Sequence, residues 1–418
     1  MKTLTMPVPF RQAHGRRPLA ALVLVVLAAP LVASGPAQTP PLERRVYVAN
    51  DEGRRIDVFD VDREHALHHS FTPERNGVKL LDSRCRGIAA HAGTARLYFT
   101  DSDLKHVVAM DLVKESVLWV RTFDEAECKH PDRLSVTTDG RALYVPCKLS
   151  DNMVVLDARD GRTIRTHKVN EGEAPHNTYT GETGKYMYLG SYKSPIFRVY
   201  DQRTHDEVRR IDGFSSGIRP FAVDPTETYF FANLTTLLGF GVGDIPAGRR
   251  LHEVEQATPA ERLAHPGASG GHPHGGKPKS HGLALRPGTT EVWFLDDEWG
   301  YLYVFDYAAL PDAAPRHVAT IPLFTEISRP YYRAAADIKG AGDGYWRWLT
   351  FSIDGRWAYP ANGAVVDAGR RQLTPMTITA SEKQLQVDFR GGVPVTVGGQ
   401  NGGLYPVGAI SSSAAGMN

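Results

Sequence analysis

Residues 132–169 read DRLSVTTDGRALYVPCKLSDNMVVLDARDGRTIRTHKV, and this stretch decides the fold. An apolar-alternating run enters the Asp139-Gly140 turn, a second rises through Leu143 and Val145, a third covers Met153 to Leu156, and Asp160-Gly161 turns into a fourth. Short apolar runs separated by Asp-Gly turns are the pattern of an antiparallel four-stranded meander. The second run recurs along the chain as RVYVAN, RLYFTD, ALYVPC, YMYLGS, YFFAN, VWFLDD and WAYPAN, ending at Asn50, Asp101, Cys147, Ser191, Asn233, Asp296 and Asn362. Successive intervals are 51, 46, 44, 42, 63 and 66 residues, so the two long ones hold insertions, near 251–280 and 326–346. A single meander leaves both faces wet, and its neighbours must cover them. Seven such units predict an all-β, seven-bladed β-propeller of four-stranded antiparallel blades.

The first unit begins at its second strand, so its inner strand must come from elsewhere. Gln384 to Phe389 (QLQVDF) is the candidate, pairing beside Arg45 to Ala49 and closing the ring. This sets three regions: 1–37 as a signal peptide, 38–390 as the propeller and 391–418 as a Gly-rich tail, with an extra strand conceivable at Val393 to Val397. Lys2, Arg11, Arg16 and Arg17 precede the apolar run Leu19 to Ala29, which ends at Pro30 and the small residues Ala33 to Ala37. That order is a secretory leader, with cleavage expected between Ala33 and Gln38. The run is about half the ~20 residues that cross a bilayer, so no membrane insertion is expected. The arginine pair lacks the surroundings of a folded-export signal, so ordinary export to the periplasm or medium is expected.

With 48 basic and 47 acidic residues the net charge is +1, and the signs are interspersed. No bulk field draws the chain to nucleic acid or anionic lipid. Three cysteines allow one intramolecular pair. Cys128 with Cys147 is expected, because the Asp139-Gly140 turn places Cys147 opposite residues just downstream of Cys128; Cys85 is the competing partner.

The segments Tyr47-Val48-Ala49-Asn50 and Ile56-Asp57-Val58-Phe59-Asp60, echoed by Val154-Val155-Leu156-Asp157, resemble the YVTN-type repeat of YncE-like secreted propellers over nearly the whole mature chain. None of the seven copies reads YVTN itself. The resemblance implies the fold and leaves open binding proteins, lactonases, lyases and amine-dehydrogenase subunits.

In a propeller the inner strand of each blade starts on the face where the second strand ends, and ligands usually sit there. Counting back from the turns places Gly87, Asp132, His176, Arg219, His281 and Arg347 at inner-strand starts. With Asp101, Asn233 and Asp296 at second-strand ends they form a polar ring, and Trp346 with Arg347 lies in the loop before blade 7. Arg219 and Arg347 suit an anion. His176 and His281, with a carboxylate from Asp101, Asp132 or Asp296, suit a divalent metal ion, the one cofactor the ring could carry. The plainer reading is a wet polar mouth whose Asn and Asp side chains cap turns.

Two loops add to this face. One carries His265, His272 and His274 ahead of His281; the other alternates aromatics and arginines at Arg329 to Arg333 and Tyr345 to Trp348, where Trp346 and Trp348 either bind a ligand or plug the channel. Asp60, Asp111, Asp157, Asp201, Asp306 and Asp367 close third strands and are expected to cap the next turn. No GxSxG elbow, Walker loop, dinucleotide fingerprint or HExxH occurs. The leading expectation is therefore an extracytoplasmic binding or accessory protein for a small ligand or partner protein. The rivals are a metal-assisted propeller hydrolase or lyase and a redox partner resembling amine-dehydrogenase propeller subunits.

Overall fold

Strand-forming runs that are apolar on both faces must be covered on both faces, and the architecture follows from that demand. A computed structural model describes residues 39–82, 85–257, 280–296, 300–323, 348–381, 383–398 and 404–406. The leader, the His265, His272 and His274 loop, Trp346 and Arg347 lie outside the described residues.

Seven antiparallel blades form the ring. Blade 3, the stretch quoted above, comprises Ser135–Val136, Ala142–Cys147, Asn152–Asp157 and Thr163–Lys168 from channel to rim. Its second strand is buried at every position, whereas its outer strand is half-buried or exposed. The inner strands of blades 2, 4, 5, 6 and 7 are Cys85–His91, Pro175–Thr180, Ile218–Val223, Ser280–Leu285 and Leu349–Phe351. The outer strand of blade 5 is Arg249–Glu255, so the insertion after it starts later than the repeat spacing indicated.

Tyrosines from second strands tie blades together. Tyr98 Oη donates to the Ala158 carbonyl (3.4 Å), Tyr144 Oη meets His205 Nδ1 (2.7 Å) and Tyr188 Oη donates to Glu227 (2.6 Å). Each buries its ring while its hydroxyl finds a partner, as a buried tyrosine must. The third strand of blade 5, irregular in sequence, is strand Gly239–Asp244. A Cβ on Gly241 would stand 2.7 Å from the Phe214 ring and one on Gly243 2.1 Å from Phe230, so glycine makes room for phenylalanine there. The aspartates that end third strands accept backbone N–H bonds from the following turn, as expected: Asp111 from Val113 and Lys114, Asp201 from Arg203 and Thr204, Asp60, Asp157, Asp306 and Asp367 likewise.

The ring closes as the sequence requires. Gln384–Arg390 pairs antiparallel with Leu42–Asn50, with Tyr47 opposite Leu385 and Val48 opposite Gln384. Gln384 Nε2 reaches the Tyr359 carbonyl (2.7 Å), His65 Nε2 meets Tyr359 Oη (2.9 Å) and Arg44 bridges Asp62 and Asp354, sewing blade 1 to blade 7. The Gly-rich segment is more than a tail. Val393–Gly398 adds to the free edge of Gln384–Arg390, and Leu404–Pro406 adds to that in turn. Val397 is fully buried in the cluster shared by blades 1 and 2.

Candidate functional site at the channel mouth

Every blade brings its inner strand and its second strand together at one end of the channel, and a local irregularity decides which side chains gather there. In blade 2, Cys85 pairs with Asp101 and Gly87 with Thr100, leaving Arg86 as an extra residue. In blade 4, Pro175 pairs with Ser191 and Asn177 with Gly190, leaving His176 extra. The same one-residue excess falls between Ile218 and Phe221 in blade 5, around Arg219, and between Ser280 and Leu283 in blade 6, around His281. Blade 3 repeats it between Pro131, bridged to Cys147, and Ser135, paired with Tyr144, around Asp132 and Arg133. Five consecutive blades thus carry a bulge at the mouth. A bulge leaves one residue outside the ladder and re-aims its side chain.

These residues are electrostatic neighbours. Burial, followed by the charges of Lys148, Arg133, His281 and Arg219, holds the His176 imidazole well below its ordinary range. His176 is therefore neutral near pH 7. Asp132 Oδ2 lies 3.9 Å from His176 Nε2. Lys148 is likewise pushed down by burial; Asp132 opposes the shift while Arg86 and Arg219 add to it.

Aromatic faces help hold the cations. Lys148 Nζ lies 4.9 Å and Arg219 Cζ 5.3 Å from the centroid of Tyr192, whose ring also approaches His176 at 6.0 Å. Arg133 Cζ stacks 3.3 Å from the centroid of Trp348, a fully buried side chain at the start of blade 7. Trp348 therefore joins blade 7 to blade 3. Its backbone is wedged against Gly282: a Cβ there would fall 2.9 Å from Trp348 Cα, and Gly282 has φ +114°, a conformation that favours glycine.

The loops beneath these groups are fixed. Cys128 and Cys147 form a disulfide, as the sequence predicted, and Lys148 follows Cys147 directly. Asp132 N–H donates to the Pro146 carbonyl (2.8 Å) and Lys148 N–H to that of His130 (2.9 Å), so Asp132 and Lys148 are set by one cross-linked pair of segments. Beside them Arg198, 1% exposed, takes Glu173 in a two-pronged pair at 2.8 and 2.9 Å. Tyr192 N–H donates to the carbonyl of the next residue, Ala174, at 2.9 Å.

Of the residues singled out from sequence, Asp132, His176, Arg219 and His281 are brought together. Asp101, Asn233 and Asp296 are engaged elsewhere. Asp101 accepts N–H bonds from Asp82, Asp103 and Leu104, and Asp296 from Gly300 and Tyr301. Asn233 donates to the Gly239 carbonyl and accepts from Gly282 N–H, pinning blade 5 to blade 6. By register the blade 5 counterpart of Asp101 is Leu234, one residue beyond Asn233. Arg86, Arg133, Lys148, Asn177 and Tyr192 escaped the sequence reading. Counting back from the turns lands on the extra residue in blades 4, 5 and 6 but one residue off in blade 2, on Gly87 instead of Arg86. Among the described residues no group of three or more His, Cys, Asp or Glu side chains is gathered closely enough to hold a metal ion.

A cleft of about 760 Å³ opens at the opposite end, between Arg96, Asp139, Arg141, Asp157 and Arg159. Three of its arginines have partners: Arg159 lies 3.6 Å from Asp157, Arg141 3.8 Å from Asp139, and Arg96 donates to the Ala158 carbonyl. The mouth is the stronger candidate.

No family model matches the chain, and no curated protein does. Among solved structures one described as "Structure of U3-55K" is similar, with a TM-score of 0.54 and 11% identity over 81% of this chain and 89% of that one. Identity that low shows the shared fold alone: this chain is a seven-bladed β-propeller.

Proposed function

We propose that the protein is an extracytoplasmic binding protein that holds a small anionic ligand at the channel mouth. The observation that carries this reading is the gathering of Arg133, Lys148 and Arg219 around His176, with Arg86 acting on Lys148 and Asp132 set against them. Cations held partly over aromatic faces keep a potential that favours negative charge, and the low-dielectric walls strengthen it. A net charge of only +1 makes this a local field rather than a property of the whole surface. The leader-like N-terminus and the Cys128–Cys147 disulfide support a periplasmic or secreted location. The YVTN/YncE-like repeat pattern is compatible with such a role.

Calorimetric titration with a dicarboxylate and with inorganic phosphate tests the proposal. Binding is expected to weaken as salt rises and to fall at least tenfold in Lys148→Met combined with Arg219→Gln. Equal, salt-independent behaviour of wild type and variant would overturn it.

A second reading rests on the neutral His176 beside Asp132. A neutral imidazole near a carboxylate can accept a proton from water, as a hydrolase requires, and a divalent ion shared with His281 would assist. Ester turnover abolished in His176→Gln, with anion binding retained, is its signature.

A further inference from the structure

We infer that the mouth is built for a hydroxylated anion, a sugar acid rather than a plain carboxylate; this deepens the anion-binding proposal and rests on it. The argument comes from blade 4. Among the described residues, His176 Nδ1, both amide atoms of Asn177 and Ser191 Oγ are buried with no hydrogen-bond partner, in residues 7%, 0% and 0% exposed. They occupy neighbouring rungs at the mouth end of blade 4, Ser191 opposite Pro175 and Asn177 opposite Gly190, with His176 the extra residue between.

The corresponding positions of other blades are settled differently. Where blade 4 has Ser191, blades 2 and 6 have Asp101 and Asp296, each accepting backbone N–H groups, blade 3 has the disulfide-bonded Cys147, and blade 5 has Leu234. Where blade 4 has Asn177, blades 2 and 6 have Gly87 and Gly282. Blade 4 thus places polar side chains at both positions and leaves them unsatisfied, an arrangement that is expensive unless something else completes the bonds.

The donor and acceptor inventory specifies what completes them. A carboxylate only accepts, so it can serve Asn177 Nδ2 but not Asn177 Oδ1, which needs an O–H or N–H donor; Ser191 Oγ can play either part. A ligand carrying hydroxyls next to its anionic group supplies both kinds of partner. The cations across Tyr192 take the charge, and blade 4 reads the hydroxyls.

The test compares galactarate with adipate, dicarboxylates of equal length and charge that differ only in four hydroxyls, by calorimetry on the full mature chain. Galactarate is expected to bind at least tenfold more tightly. In Asn177→Leu that preference should collapse towards unity while adipate affinity is kept. Ser191→Ala, a smaller change, makes the same comparison should Asn177→Leu not fold. Equal affinities in the wild type, or a preference untouched by either variant, overturn the inference and assign the orphaned atoms to buried water only. Glucose 6-phosphate run beside inorganic phosphate distinguishes the source of the charge: a preference confined to that pair transfers the site to phosphorylated sugars and overturns the sugar-acid assignment. Failure of both acids and of both phosphate probes to bind overturns the anion proposal itself.

Discussion

The channel mouth and the Asp57 network of the closing seam both bury polar groups, yet they treat them in opposite ways. At the seam Asp57 accepts from Arg55, Ser70, Asn50 and Thr379, and although burial alone would raise its pKa, these bonds bring it below the ordinary carboxylate range. At the mouth, His176, Asn177 and Ser191 keep buried atoms without partners among the described residues. The saturated Asp57 network specifies how strands from opposite ends of the chain meet and leaves nothing for a ligand, although elsewhere on the seam His65 Nδ1 and Gln384 Oε1 are buried without a hydrogen-bond partner among the described residues. An unsaturated one weakens the fold locally and reserves its hydrogen bonds for a visitor. The contrast separates polarity used for assembly from polarity used for recognition, and it can be broken at either end.

Deletion of everything after Ser381 should have the largest effect, because it removes the inner strand of blade 1 and exposes the edge of Leu42–Asn50. Such a chain is expected to lose its cooperative unfolding transition, monitored by circular dichroism in urea. A native transition in the truncated chain would show that the seam does not close the ring. Next in size, replacing both Cys128 and Cys147 by serine should lower stability by about 3 kcal/mol on the chain-entropy account and also weaken anion binding, since Asp132 and Lys148 share that cross-link. Lost stability with unchanged affinity would detach the disulfide from the site.

A smaller effect is expected at Asp388, on the seam. Burial, with Asp354 and Asp62 nearby, raises its carboxyl to about 6 against the help of Gln386 and Arg44. The folded chain then holds this proton more tightly than the unfolded one, so the contribution is fully present below about pH 4 and is lost as pH rises through 6. Asp388→Asn should be roughly 2 kcal/mol more stable than wild type at pH 7 and equal to it at pH 3.5. His65 carries the opposite sign: burial, then Arg356, lowers it to about 4, so its contribution is lost as pH falls from 6.5 towards 4. The smallest change in stability is expected at the mouth. His176→Ala with His281→Ala should leave unfolding free energy within about 1 kcal/mol while ligand affinity falls. Unfolding of that variant would make the two histidines structural.

The ring, its seven blades, its closing strand and the disulfide partners were all legible in the sequence, because periodicity, Asp-Gly turns and a missing inner strand are local or countable signals. The site was legible only in part. Asp132, His176, Arg219 and His281 could be found by counting from turns, whereas in blade 2, whose turn reads HAGTAR with no Asp-Gly pair to fix the count, the count falls one residue off, on Gly87 instead of Arg86. Asn233 and Asp296 were polar at the right end of a strand, and nothing in sequence separates a side chain that caps backbone from one that faces a channel. Lys148 was invisible for another reason: its place depends on a cross-link to a segment twenty residues away.

Blade 1 also sets an order of events during synthesis. Its second strand emerges about 340 residues before the strand that completes it, so at ~5–20 residues per second the edge of Leu42–Asn50 waits on the order of 17–70 seconds for its partner. Until then the nascent chain presents an unpaired, largely apolar edge to anything nearby. A guardian that occupies this edge, or a route that delays folding until the whole chain is released, would serve it better than rapid folding from the N-terminus.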